Sequence, residues 1–293
     1  LKPLWISRRI RALDLQMSAR VRVSSVAGEA LALELPTHTL GGELKEIVAG
    51  LWRVPALFQI LLVGSSCLDD SEALRAFVVD GKVAVTTVVS FNRVLSRLET
   101  AETEDCRTEL LKAIADFATP GDQSTIQAVC AYLRVQAKHT RLCALHALEG
   151  LVSGGGDAQV VHAVSKVARG DPALQVRKEA LRILGVVSRR GDPWVTKLML
   201  NLLGHSRREI RACACEALSM VARMCDVDTI SELISRVHVA DSLLRLRIVE
   251  ALALLSEPDD ARVTSKLKEL TDDEDHAVRL AVRDALDRGR ITP

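Results

Sequence analysis

Six arginines recur along this 293-residue chain at a near-constant step. They are Arg107, Arg141, Arg177, Arg211, Arg245 and Arg279, spaced 34, 36, 34, 34 and 34 residues apart. A guanidinium presents five donors in a planar fork, so such a row can hold carboxylates or phosphates, or tie neighbouring helices together. We assign these six the structural role. Five residues after each arginine stands a second polar residue: Lys112, His146, Arg182, Glu216, Glu250 and Asp284. All six are charged or titratable and pass from basic to acidic along the chain. We read them as a solvent-facing row and as candidate partner-binding residues of a graded groove.

Other residue types able to do chemistry lack the company they would need. Cys213 and Cys215 form C-x-C, but on a helix residues i and i+2 point to different sides, and no second ligand pair is near in sequence. Gly154-Gly155-Gly156 lacks the Lys-Ser/Thr of a phosphate loop and reads as a turn. Gly81-Lys82 lacks that context too, and no G-x-S-x-G occurs. Arg189-Arg190 and Arg207-Arg208 could meet phosphate or an acidic partner. One tyrosine and four phenylalanines offer little base stacking, and the net charge is +1, so nucleic acid is not an expected partner. No catalytic residue, metal site or cofactor is predicted. The seven cysteines are scattered and odd in number. They read as reduced apolar side chains of a cytoplasmic or nuclear protein. No apolar run reaches the ~18–20 residues of a membrane span.

The elements that must hold these rows follow from the same register. Apolar residues stand 3, 6 and 7 positions after each arginine, for example Ala180/Ile183/Leu184 and Ala214/Ala217/Leu218. That is helical spacing. Asp122, Asp157, Asp192, Asp226 and Asp260 lie 15 or 16 residues after an arginine, several of them behind a glycine. Glycine closing one helix and aspartate capping the next is the chemistry of a helix–helix turn. First helices are expected at 123–135, 158–169, 193–204, 227–238 and 261–271. Hydrophobic residues make up 48 % but aromatics only 3 %, so Ala, Leu and Val must form the core. One such repeat cannot bury its own apolar face, so neighbours must share a continuous core.

The segment before the repeats reads differently. Residues 20–24 and 30–35 alternate as a hairpin around Ala27-Gly28. Thr39 is a candidate N-cap for a helix carrying Leu44, Ile47, Val48 and Leu51. Strands follow at Gln59–Val63 and Val83–Val89, with Leu68 and Leu74 as anchors in a polar loop. Residues 1–19 read as a basic leader that is disordered or foreign to the native chain, Met17 resembling a natural start. Residues 1–22 carry six basic side chains and one acidic. The expected division is 1–19, a domain over 20–90, and a solenoid of about six helix pairs over 91–293. The fold class is α+β followed by all-α.

Two resemblances add to this. Val21-Arg22-Val23, Leu44-Lys45-Glu46-Ile47, Val54-Pro55, Gln59, Leu61-Leu62-Val63-Gly64 and Leu68-Asp69-Asp70 together resemble ubiquitin-like domains. The likeness implies a β-grasp and places Leu61 where ubiquitin has an exposed apolar recognition residue. No Gly-Gly follows the last strand; Val88-Val89-Ser90-Phe91 does. The likeness therefore implies docking without covalent conjugation. Val176-Arg177, Ile210-Arg211 and Val278-Arg279, with Asp171 and Asp273 six residues before an arginine, resemble short HEAT repeats. That resemblance implies an Asp–Arg ladder. It should be incomplete, because His205 and Val239 stand where the aspartate belongs, with Asp241 two residues beyond Val239. Absence of a His-Glu dipeptide argues against the HEAT-like iron hydroxylases. The expected function is a non-enzymatic scaffold binding other proteins. The alternatives are a phycobilin-lyase-type protein acting on a tetrapyrrole and an adaptor to the proteasome or ubiquitin-handling machinery.

Overall fold

Alternation of period two in Ser18–Ser25 sends Ala19, Val21 and Val23 inward and leaves Arg20 and Arg22 in solvent. This strand, β1, pairs antiparallel with β2 (Ala30–Pro36) and parallel with β5 (Lys82–Val89). In the computed structural model the sheet order is β2-β1-β5-β3-β4, with β3 at Gln59–Val63 and a short β4 at Ser66–Leu68. The model describes residues 18–26, 28–117, 120–152, 155–257 and 259–288. Most of the expected leader, Ala27 of the hairpin turn and Gly154 of the glycine run lie outside them.

Helix α1 (Gly41–Trp52) covers one face of the sheet and seats Leu44 and Val48 against Val21, Leu61 and Val85. The arrangement is compatible with a β-grasp domain. The N-cap is Leu40 and not Thr39, which is buried instead. The reason is chemical: Glu43 reaches back to accept from the Leu40 amide at 2.9 Å, so the return arm of a capping box starts the helix without a hydroxyl cap. Gln59, fully buried, donates to the carbonyls of Lys45 and Val54 and ties β3 to the end of α1.

Two compact units divide after Ala101, beyond the expected boundary at residue 90. Helix α2 (Phe91–Thr100) groups with the first unit because Phe91 stacks on Phe58, ring centroids 5.1 Å apart.

In the second unit, α3 (Glu104–Phe117) precedes five helix pairs. The first helices are α4 (Gln123–Ala131), α6 (Ala158–Gly170), α8 (Pro193–Leu202), α10 (Val227–Arg236) and α12 (Ala261–Glu269). The second helices are α5 (Lys138–Leu151), α7 (Leu174–Val187), α9 (Arg208–Val221), α11 (Ser242–Leu255) and α13 (His276–Arg288). Short 3-10 turns extend α4 and α10. Each of the five aspartates caps its first helix; Asp157, for example, accepts from the amides of Gln159 and Val160. Second helices pack on one another in sequence from α3 to α13.

A backbone ladder runs through the turns. The amides of Gly121, Gly156, Gly191 and Cys225 donate to the carbonyls of Leu151, Val187, Val221 and Leu255, the last carbonyl-bearing turn of the next second helix. All four donors have positive φ, which glycine adopts freely. Cys225 occupies the same position at φ 58° with a Cβ that crowds the backbone. Cys225→Gly should therefore raise stability by about 0.5–1 kcal/mol, the left-handed strain relieved exceeding the extra chain entropy. A higher urea midpoint measures it; an unchanged or lower one contradicts it.

Candidate protein-interaction surface

The arginine row is built into the repeats from both sides. In Arg141, Arg211 and Arg245 the long side chain reaches back to carbonyls just before its own helix and forward to the next inter-helix loop. Arg141 donates to Val135 and Gln136 carbonyls and grips Asp171 with Nε and Nη2, at 2.6 and 2.9 Å. Arg211 repeats the pattern on His205 and Ser206 carbonyls and on Asp241. Arg245 grips Asp273 at 2.9 and 3.0 Å and also meets Glu274. Arg279 closes on the carbonyls of Asp273 and Glu274, and Arg107 lies 3.5 Å from that of Glu102. The aspartate of one loop thus serves the arginine of the preceding repeat. Where Val239 occupies the loop position it points to solvent, and Asp241 supplies the carboxylate.

The Arg177 rung meets a histidine in place of an acid. Arg177 donates to the Ala168 carbonyl and then faces His205 Nε2 at 3.0 Å, while His205 Nδ1 accepts from the Arg207 amide, also at 3.0 Å. A neutral imidazole carries one proton, so it accepts on one nitrogen only. Both ring nitrogens of His205 face N–H donors, and one contact is unrewarded. Burial, then the charges of Arg177 and Arg207, push the His205 pKa below its ordinary 6.5. Its spacing of 28 residues from Arg177 equals that of Asp273 from Arg245. His205→Asp should restore the rung and add about 1.5–3 kcal/mol, the range of a hydrogen bond to a charged group. The sign with pH also follows. The unfolded histidine takes a proton near pH 6.5 while the folded one resists, so this contribution is complete above 6.5 and lost as pH falls through the folded value. Urea midpoints at pH 7.5 and 5.5 should differ less in His205→Asp than in the parent.

The second row stands on the outer side of the second helices. Lys112, His146, Glu216 and Asp284 are exposed, and Arg182 and Glu250 are half-buried. Its charge is not a simple gradient. Arg182 is held by Glu149 and Glu179, with 2.8 Å bonds to each, and His146 meets Glu179 at 2.9 Å. Arg182 and His146 are therefore compensated by carboxylates of α5 and α7. Toward the chain's end Glu250 pairs with Arg247 at 2.7 Å, and Glu216 and Asp284 hold no cation within salt-bridge distance among the described residues.

One turn further along the same helices lies a row the charge pattern had hidden. Val186, Met220 and Leu254 stand nine residues after Arg177, Arg211 and Arg245, and are 49, 37 and 49 % exposed. Gly185, buried, makes the notch over which the Met220 side chain lies. The arginine register would have revealed this row had it been read at +9 as well as at +5.

Leu61 corrects an expectation. It is fully buried in the first unit's core. Burial of Gln59 sets the phase of β3, so Leu61 faces inward, while Ile60 and Leu62 are half-buried on the other face beside Val88 and Thr86. Among the described residues no three His, Cys, Asp or Glu side chains converge to hold a metal. Cys215 is buried, and that burial pushes its thiol up to about 12, far from a reactive thiolate. Arg189 and Arg190 cap the carbonyls of Gly155 and Ala222. No helix among the described residues is long and apolar enough to cross a membrane.

This periodic stack of paired helices has a sequence counterpart: residues 161–253 match the family model of HEAT repeats. Over those residues the paired helices are similar to HEAT repeats. Among solved structures, an engineered protein is similar at 18 % identity, covering 68 % of this chain and 97 % of its own, with a TM-score of 0.46. A designed armadillo repeat protein is similar at 14 % identity over 67 % of this chain and 98 % of its own, with a TM-score of 0.43. YibA of E. coli is similar at 14 % identity over 68 % of this chain and 70 % of its own, with a TM-score of 0.49. No curated protein matches the chain.

Proposed function

We propose that this chain is a non-enzymatic scaffold that binds other proteins through the outer row of its HEAT/armadillo-like second helices. The observation that carries this reading is the contrast between two registers. The arginine register, buried at Arg141 and half-buried elsewhere, repeats to hold the stack, while the solvent-facing register changes from Lys112 to Asp284 and has an exposed apolar row beside it. Recurring rungs build; a varied exposed face discriminates among partners. The N-terminal unit is read as a ubiquitin-like docking domain that stays unconjugated. Its half-buried Ile60, Leu62 and Val88, on the sheet face away from α1, supply an apolar patch for ubiquitin-handling machinery. Cross-linking mass spectrometry on the full chain with its captured partner tests the reading. Cross-links concentrated on the second helices are expected; cross-links confined to α4, α6, α8, α10 and α12, or capture of no partner, would overturn it.

A further inference from the structure

The second helices α9, α11 and α13 enclose an open cleft of about 450 Å³. Its lining includes Glu216, Glu250 and Asp284 on one row, Arg247 between them, and Met220 and Leu254 one turn further on. Among the described residues that line it, three carboxylates face one guanidinium, an excess of two negative charges. Arg247 spends its fork on Glu250 at 2.7 Å. Met220 and Leu254 are 37 and 49 % exposed in the same cleft, so apolar surface and negative charge alternate across neighbouring helices. That volume lies within the range of ligand-binding clefts and accommodates several side chains.

We infer that this cleft takes a segment of a partner protein in which arginine or lysine side chains alternate with aliphatic ones. The assignment rests on the scaffold reading and names its partner chemistry. A basic head neutralises the Glu216 and Asp284 carboxylates, and the aliphatic neighbour removes Met220 and Leu254 from water. Stacked helices lie about 8–10 Å apart. A chain in the polyproline II conformation rises about 3.1 Å per residue with three residues per turn, so a basic residue at every third position stays on one face and meets successive carboxylates. Nucleic acid and acidic peptides are repelled by the same charges. The N-terminal half of the row does not offer this, because Arg182 is saturated by Glu149 and Glu179.

The probe is a fluorescein-labelled peptide of four Arg-Leu-Ser repeats, titrated against the full chain by fluorescence anisotropy. Companion peptides carry Glu in place of Arg, or Ser in place of Leu. The Arg-Leu-Ser peptide should bind at least tenfold more tightly than the Glu peptide and about fivefold more tightly than the peptide without leucine. Glu216→Lys with Asp284→Lys should raise its Kd at least tenfold, and Met220→Ser with Leu254→Ser about fivefold. Glu216→Gln with Asp284→Asn repeats the charge test without reversal, and far-UV circular dichroism checks that each variant keeps its helices. Equal binding of the Glu peptide, or a Kd unmoved by both kinds of variant, overturns the assignment. A captured partner that cross-links to the second helices and is retained by the charge variants also overturns it, and leaves the scaffold reading standing.

Discussion

Arg141→Ala is expected to lower the stability of the helical repeats by about 3–5 kcal/mol, the cost of breaking a buried ion pair from one side. The side chains of Arg141 and Asp171 are only 7 and 4 % exposed. Removing the guanidinium leaves Asp171 charged and buried, with only the Ala173 amide still donating to it at 2.8 Å. It also strips a donor from the carbonyls of Val135 and Gln136. The other rungs supply an internal scale. Arg245 and Asp273 are 13 and 6 % exposed, and Arg211 and Asp241 are 21 and 32 % exposed. Water can replace more of the lost contact at each step, so the losses should rank Arg141→Ala, then Arg245→Ala, then Arg211→Ala. Urea unfolding by far-UV circular dichroism gives the ranking. Amide hydrogen exchange should place the loss of protection in α5, α6 and α7 first, because each repeat contacts only its neighbours. An Arg141→Ala loss below that of Arg211→Ala would refute burial as the cause.

Gly41→Ala is the second substitution with a large expected effect, about 2–3 kcal/mol against the first unit. Gly41 opens α1 beneath the loop that carries Asp69 and Asp70. A Cβ there would overlap the Asp69 carbonyl oxygen and lie 3.0 Å from its carbon and 3.1 Å from Leu68 Cγ. The atoms in the way are backbone, so no side-chain rotation relieves the clash. The same approach lets the amides of Gly41 and Gly42 donate to the carbonyls of Glu72 and Asp70 at 2.8 and 3.0 Å. Displacing the loop loosens these bonds and shifts Asp70 from Lys45, whose side chain is buried. Gly42→Ala is the control. Its nearest atom, the Asp70 carbonyl oxygen, would be 3.3 Å away and the rest at ordinary contact, so the loss should be well under half as large. Equal losses in thermal unfolding would refute the clash with the Asp69 carbonyl as the cause, because the entropy change of Gly→Ala by itself favours the folded helix.

Much of the helical unit could be read from residue spacing, and the reason is that repeats make local signals add. Asp122 through Asp260 cap their helices because an aspartate ahead of a helix has its own first-turn amides within reach. No distant contact is needed for that. The arginine partners could not be read the same way. Asp171 stands six residues before Arg177, yet it serves Arg141 thirty residues earlier, since stacking sets which loop lies in front of which guanidinium. Hence the ladder was expected to break at Val239, where Asp241 repairs it. The mismatch that remains is at His205.

The first unit shows the limit more sharply. Ile60, Leu61, Leu62 and Val63 are all apolar, so their pattern carries no phase, and a strand's inward face is decided by phase alone. Local spacing in this chain dictates where helices start and stop, that they repeat near every 34 residues, and that their outer register is polar. Tertiary packing decides that Leu61 is buried, that α2 belongs with the first unit, and that Arg182 is neutralised while, among the described residues, Glu216 and Asp284 meet no cation. It also brings Met220 and Leu254 beside those carboxylates. The division has one cause. Caps and turns are closed by atoms a few residues apart, whereas net charge and exposure on a surface depend on which helix lies alongside, and that is set only when the repeats stack.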